Sequence, residues 1–164
     1  MEKRRDKINY YLDIAEAVSE RGTCLRRNYG AVIVKNDEII STGYVGAPRG
    51  RANCCVLGYC VRERLDIPRG QRYEMCRSVH AEQNAIISAS RNDMLGAVLY
   101  LVGKEVKTGE YVKNARPCTL CERFIINAGI KRVIVRDTKE EYTCYDVASE
   151  FIENDISVEG KSGY

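Results

Sequence analysis

The sequence predicts an α/β fold, with one sheet covered by helices on both faces. Three observations predict it. Apolar residues recur at helical spacing over 7–20, and they gather into β-type runs at 30–44, 97–103 and 131–136. Helical segments open at His80 and at Pro117, between the later runs. Strands that alternate with helices bury a sheet between two layers. A chain of 164 residues suits a single domain, 1–164, with its core over about 7–158.

The elements follow in order. Ile8, Tyr11, Ile14, Ala15 and Val18 lie three and four apart, which predicts an amphipathic helix over Lys7–Glu20. Gly30–Lys35 and Glu38–Tyr44 read as two strands joined by a tight turn at Asn36-Asp37. Residues 45–78 are rich in Gly, Arg, Pro and Cys and show no period, so they read as a long functional loop with short helical pieces. From His80, the residues Ala81, Ala85, Ile86 and Ala89 form one apolar face, and the predicted helix runs to Arg91. Ala97–Gly103 is a strand, and Lys104–Arg116 is a polar excursion. Pro117 opens a helix that carries Phe124, Ile125 and Ala128 and stops at Gly129. Lys131–Arg136 is a strand, Tyr145–Glu153 a helix and Ile156–Val158 a short last strand. Glu159–Tyr164 reads as a frayed tail.

Composition narrows the function classes. Apolar residues make up 45% and charged residues 30%, the balance of an ordinary soluble globular domain. The formal charge is only +3, and the bases are scattered in small groups such as Lys3-Arg4-Arg5 and Arg26-Arg27. That is no stripe for a duplex, so nucleic acid is not the expected partner. No apolar run is long enough to span a bilayer, and the N-terminus lacks the apolar core of a secretory signal. Eight cysteines in an unsecreted chain read as metal ligands or reduced thiols before disulfides, which makes the cytosol the expected compartment.

The chemistry concentrates in two short motifs, His80-Ala81-Glu82 and Pro117-Cys118-Thr119-Leu120-Cys121. His80 is the only histidine in the chain. A catalytic zinc usually has three protein ligands and one open position, and His80, Cys118 and Cys121 fit that count. A helix start favours the thiolate form of a cysteine, and bound zinc favours it further. Glu82 sits two residues past His80, in the first turn of a helix, where it can reach the open position without binding the metal. A carboxylate there can take a proton from a zinc-activated water and pass it to a ring nitrogen and then to a leaving amine. The pair of motifs is the H-x-E…P-C-x-x-C pattern of zinc-dependent nucleobase deaminases. A purely structural zinc site is the alternative, and it has no need of Glu82.

The surrounding residues narrow this further. Ser41-Thr-Gly-Tyr-Val-Gly-Ala-Pro-Arg-Gly50, Asn53-Cys54-Cys55, Ser78–Ile86, Pro117-Cys118…Cys121, and Asn127-Ala-Gly-Ile130 with Arg132-Val133 together resemble the deoxycytidylate (dCMP) deaminase family. The likeness runs from about Tyr10 to Arg136. It implies the three-layer α/β/α cytidine-deaminase fold with a mixed five-stranded sheet, and deamination of dCMP to dUMP. It also implies a homo-oligomer, often a hexamer, with dCTP as activator and dTTP as inhibitor in many members. Gly43–Gly50, with Val45 and Gly46, matches a substrate loop, and Arg26 or Arg27 falls near the phosphate. The backbone N–H of Ala81 would meet the pyrimidine carbonyl, and Asn84 would either read the sugar or hold the helix turn.

Some relatives carry a second, structural zinc with ligands at the positions of Cys24 and Cys54. Their remaining ligands are histidines, which this chain lacks. Cys60 and Cys76 are the available substitutes, Cys55 is the alternative to Cys54, and Cys144 lies outside the group. Two departures from the family stand out. Val45 replaces the usual Asn of the Gly-Tyr-Asn-Gly turn, which removes a hydrogen-bonding amide. The connection 103–116, with Lys104, Lys107, Lys113 and Arg116, is much longer than in most relatives and reads equally as a cover for the pocket or as a solvated loop.

Two other classes compete. An enzyme acting on tRNA or single-stranded DNA needs a basic, aromatic groove. This chain has no Trp and two Phe, although eleven Tyr leave stacking open. A non-enzymatic nucleotide-binding zinc protein would keep the ligands without the acid.

Overall fold

The structure, a computed structural model, describes residues 3–160. Helix α1 (Lys7–Ser19) begins at Asp6, whose carboxylate accepts a hydrogen bond from the Asn9 amide at 3.0 Å. Strands β1 (Arg27–Lys35) and β2 (Glu38–Tyr44) form the expected hairpin. Its turn residues, Asn36 and Asp37, have φ of 52° and 62°, a backbone that Asn and Asp accept readily. Strands β3 (Val98–Glu105), β4 (Arg132–Arg136) and β5 (Tyr142–Asp146) complete a five-stranded sheet in the order β2-β1-β3-β4-β5. Only β3 and β4 run parallel, so the sheet is mixed.

The period of two decides the layers. Val32, Val34, Tyr100, Val102 and Ile134 turn to one face and meet Tyr11, Leu12 and Ala15 of α1. Ala31, Ile33, Leu99, Leu101, Val133 and Val135 turn to the other, where α4 (Ala81–Ile87) and α6 (Thr119–Ala128) cover them. Two glycines on the hairpin set the approach of the helices. A Cβ on Gly30 would enter the backbone of α1 at Ala15 and Ser19, and one on Gly43 would enter the backbone of α4 at Ala81 and Ala85. Gly43 thus serves helix packing within the segment expected to contact substrate.

Residues 45–78 form the expected irregular region, with short helices α2 (Cys54–Leu57) and α3 (Val61–Arg64) and a 3₁₀ turn at Tyr73–Met75. Elsewhere several expectations are corrected. The helix from His80 does not continue to Arg91. It ends at Ile87, and Ser90 caps a separate helix α5 (Arg91–Met94) by accepting from the Asp93 amide at 3.2 Å. Pro117 stands just before the N-cap of α6, which is Cys118. The segment expected to be helical from Tyr145 instead begins inside β5, because the edge of β4 offers unpaired backbone groups and Tyr142–Asp146 fills it. A single π-helical turn, Ala148–Glu153, follows and buries Phe151. Ile156–Val158 lies in a 3₁₀ turn and not in a strand. Glu159 closes that turn, while residues 161–164 of the expected tail lie outside the described residues.

The long connection before Pro117 is partly an extension of the sheet. β3 runs on to Glu105, the chain reverses near Gly109, and Tyr111 bridges back to Lys104. Val112 and Ala115 are buried, while the tip over 106–110 and the pair Lys113 and Asn114 are exposed.

Candidate active site

Two helix starts converge at one edge of the sheet. The edge is set by register, since Arg27 at the beginning of β1 pairs with Glu105 at the end of β3, and Gly30 pairs with Tyr44 at the end of β2. His80 is the N-cap of α4, and Cys118 is the N-cap of α6. His80 is fixed by its own amide, which donates to Gln83 Oε1 at 2.9 Å. The preceding Val79 pairs with Gly46 in a two-way backbone bridge at 3.2 and 2.7 Å. Asn53 ties the same turn, its Oδ1 accepting from the Ala47 amide and the Thr23 hydroxyl, each at 3.1 Å.

His80 Nδ1 lies 3.2 Å from Cys121 Sγ and 3.5 Å from Cys118 Sγ. Ligand atoms of these three residues all fall within 4.8 Å of one another, and among the described residues no other such group of three His, Cys, Asp or Glu side chains forms. One imidazole and two sulfurs are the donor set that zinc prefers. The charge state fits as well. Hydrogen bonding from Cys121, aided by His80, outweighs burial and holds the Cys118 thiol down to about 4. Cys121 is pushed the other way, first by its bond to that thiolate and then by burial. Burial opposes a charged His80, but Cys118 and Cys76 outweigh it and push the ring up to about 10. The cluster therefore holds a proton where a cation can take its place.

Glu82 lies on the first turn of α4 and is 5% exposed. Burial pushes its carboxyl up, and the opposing pull of His80 does not cancel that push. It faces a cavity that it lines together with His80, Ala81, Cys118 and Val45. Val45 is buried there and presents an apolar wall where an amide was expected from the resemblance.

Of the two arginines chosen from sequence, both line this cavity and both are already paired, Arg26 with Glu63 at 3.2 Å and Arg27 with Glu105 at 2.9 Å. Gly46 and Asn84 are not brought to it. They line a neighbouring open cavity with Arg21, Arg49 and Arg51, and Asn84 donates to the Tyr44 carbonyl at 2.8 Å, which ties α4 to β2. Arg116 is the one base of the long connection that reaches the catalytic cavity, held by Glu122 at 2.9 Å and packed on Tyr145 and Phe151. Lys104 points to the opposite face and pairs with Glu16 at 2.9 Å.

Cys24, Cys60 and Cys76 share one wall of the catalytic cavity, and buried Cys54 lies within electrostatic reach of all three. No three of these sulfurs lie within 4.8 Å of one another. A shared zinc at about 2.3 Å from each sulfur would have to draw them closer. Sequence reasoning missed Tyr29, Arg62, Arg69 and Tyr73, all of which line the cavity. Three of them fall in the periodless segment 45–78, where no spacing marks an inward-facing side chain.

Comparison with known proteins agrees with this geometry. Residues 5–137 match the cytidine and deoxycytidylate deaminase zinc-binding region, and the chain belongs to that family. A deoxycytidylate deaminase of Mycobacterium phage D29 is 37% identical over 137 residues, which span 80% of this chain and 94% of the phage protein. A deoxycytidylate deaminase of Schizosaccharomyces pombe is 32% identical over 127 residues, 77% of this chain but 35% of the larger yeast protein. The crystal structure of the cyanophage S-TIM5 dCMP deaminase in complex with dCMP and dUMP superposes with a TM-score of 0.55 at 25% identity, covering 82% of this chain and 84% of that one.

Proposed function

We propose that this protein hydrolyses the 4-amino group of a cytosine deoxynucleotide, most directly dCMP to dUMP and ammonia, and so supplies dUMP for thymidylate synthesis. The observation that carries the reading is Glu82, a buried carboxyl beside the His80, Cys118 and Cys121 cluster and facing an arginine-lined cavity. Bound zinc would supply an activated water and hold the attacking oxygen. Glu82 would take one proton of that water and pass it to the ring nitrogen, then take the second from the hydroxyl now on C4 and pass it to the amine, which departs as ammonia. The upward push on Glu82 suits a group that must both take and give a proton near neutral pH. Water adds at C4 and ammonia leaves, so no redox partner is required. The backbone N–H of Ala81, in the first turn of α4, supports orientation of the pyrimidine carbonyl. Arg26, Arg27 and Arg116 line the cavity on ion pairs with Glu63, Glu105 and Glu122, and a 5′-phosphate offers these guanidiniums a competing, more highly charged acceptor that a neutral nucleoside lacks. The relatives named deoxycytidylate deaminase support the same substrate.

Ammonia release from a panel of cytosine compounds tests this. A higher kcat/KM for dCMP than for deoxycytidine is expected. Equal values would point to a nucleoside enzyme, and turnover only on tRNA or single-stranded DNA, with salt-sensitive retention on polynucleotide, would point to an editing enzyme.

The finer parts of the proposal rest on the family resemblance. They are a homo-oligomer, on the scale of a hexamer, and control by dCTP and dTTP. The open cavity with Arg21, Arg49 and Arg51 has the charge for a second anionic ligand. A cytosolic compartment suits eight cysteines that stand unbridged. A structural zinc on Cys24, Cys54, Cys60 and Cys76 is supported by the placement of Cys24, Cys60 and Cys76 along the cavity with Cys54 within electrostatic reach of all three. Metal analysis distinguishes two zinc ions per chain, falling to one in Cys24→Ser, from one throughout.

A further inference from the structure

The segment from Val61 to Cys76 has no strand and no helix longer than four residues, yet one of its side chains is nearly sealed from solvent. Arg62 is 6% exposed. Its Nη2 donates to the Pro68 carbonyl at 2.9 Å and to the Gln71 carbonyl at 2.7 Å, while its Nε finds no partner. Among the described residues no carboxylate forms an ion pair with it, so its burial is costly and an apolar side chain would fill the same space at less expense. The guanidinium lies 4.9 Å from the centre of the Tyr73 ring. Tyr73 in turn meets His80, with ring centres 5.1 Å apart and planes at 89°. Arg62, Tyr73 and His80 all line the catalytic cavity. A continuous line of contact thus runs from two loop carbonyls through Arg62 and Tyr73 to a metal ligand.

We propose that Arg62 and Tyr73 are positioning residues for His80. Arg62 folds the segment 61–76 closed by gripping two carbonyls on its far limb. The closed segment presses Tyr73 edge-on against the imidazole. Cys76 bonds that ring as well, and Tyr73 limits the swing that its two torsions still allow. The Tyr73 contact fixes it with Nδ1 facing Cys118 and Cys121, the orientation in which all three donors meet one ion. Rings that ligate metals depend on such outer contacts, and losing one typically weakens the metal by about 10–100-fold. The inference rests on the zinc reading of the site and not on the choice of nucleotide.

Zinc release into excess chromogenic chelator tests it without substrate. The phase to follow is the one that Cys118→Ser abolishes. Tyr73→Leu should speed that phase about tenfold. Tyr73→Phe keeps the ring and should stay within about twofold of the parent rate, which a role for the hydroxyl would not allow. Arg62→Lys keeps the charge but loses the two-carbonyl grip, and it should also release zinc faster. Circular dichroism of the metal-free variants establishes that they fold. Parent-like release from folded Tyr73→Leu overturns the proposal. If Tyr73→Leu does not fold, parent-like release from Arg62→Lys overturns it instead. Loss of dCMP turnover with unchanged zinc release would also overturn it, and would place these two cavity-lining residues at the substrate instead of at His80.

Discussion

A buried acid and a partly buried one lie under opposite faces of one sheet, and their surroundings treat them in opposite ways. Under the α4 and α6 face, Glu82 is sealed in and its carboxyl is pushed up by burial. Under the α1 face, burial pushes Glu16 the same way, but Lys104, Tyr111 and Arg136 outweigh it and pull it down. Lys104 Nζ sits 2.9 Å from Glu16, and Tyr111 donates to it at 2.8 Å. Arg136, fully buried at the end of β4, reaches Glu16 at 2.8 Å and Asp13 at 2.9 Å. A buried charge answered by opposite charges ties elements together. A buried carboxyl whose partners, here His80 and Cys121, do not outweigh burial costs stability and keeps its proton available, which is the property acid–base chemistry requires.

The largest test of this contrast is Glu82→Gln. The amide fills the same space and cannot carry the proton, so turnover should fall by about 10²–10⁴-fold while zinc content and melting temperature hold. Near-parent turnover in a zinc-replete sample would remove Glu82 from the mechanism. The matching change on the other face is Arg136→Met. It removes the buried cation of the group, leaving Asp13 to Arg5 and Lys139 and Glu16 to Lys104 and Lys139, and should cost about 3 kcal/mol, the low end for a broken buried pair because both acids keep other partners and some solvent contact. Urea unfolding reads that loss. The kcat of the remaining folded enzyme should not change, and a drop there would mean that the two faces are coupled.

A finer comparison uses the two helix-seating glycines. Gly43→Ala and Gly30→Ala each place a methyl group against helix backbone, which cannot move aside as a side chain would. Each should cost about 1–3 kcal/mol. Gly43→Ala displaces the helix that carries His80 and Glu82, so it should also lower kcat, while Gly30→Ala displaces α1 and should leave kcat alone. Equal kcat in the two variants would show that the seat of α4 does not set the catalytic geometry.

The smallest expected effect is a pH dependence. Burial raises Asp13, but hydrogen bonds from Arg5 and Arg136 outweigh it and hold it at about 2, below its ordinary value of 3.8. A lowered carboxylate stabilises the fold at pH above the unfolded value, and that contribution fades as pH falls from about 4 towards 2. Unfolding free energy should therefore slope downward over that window, and Asp13→Asn should flatten the slope. An unchanged slope would assign acid sensitivity to other carboxylates.

Local pattern determined much of this protein. Helical spacing placed α1, β-type runs placed β1, β2, β3 and β4, and the two short motifs named His80, Glu82, Cys118 and Cys121. These are properties of neighbouring residues, and a period or a spacing carries them. Tertiary structure decided the rest, because the rest depends on what lies across space. Tyr142–Asp146 became a strand because β4 had an open edge, and no local signal separates that from the start of a helix. Arg26 and Arg27 reached the cavity through the register of β1 with β3, while Asn84, two residues and about half a turn along the same helix from Glu82, faces away to the Tyr44 carbonyl. Arg62 and Arg64 look alike in sequence, yet one is buried beneath its own loop and the other is exposed, packed on Tyr59. Which arginine turns inward is settled by where the carbonyls of Pro68 and Gln71 come to rest, and only the folded chain puts them there.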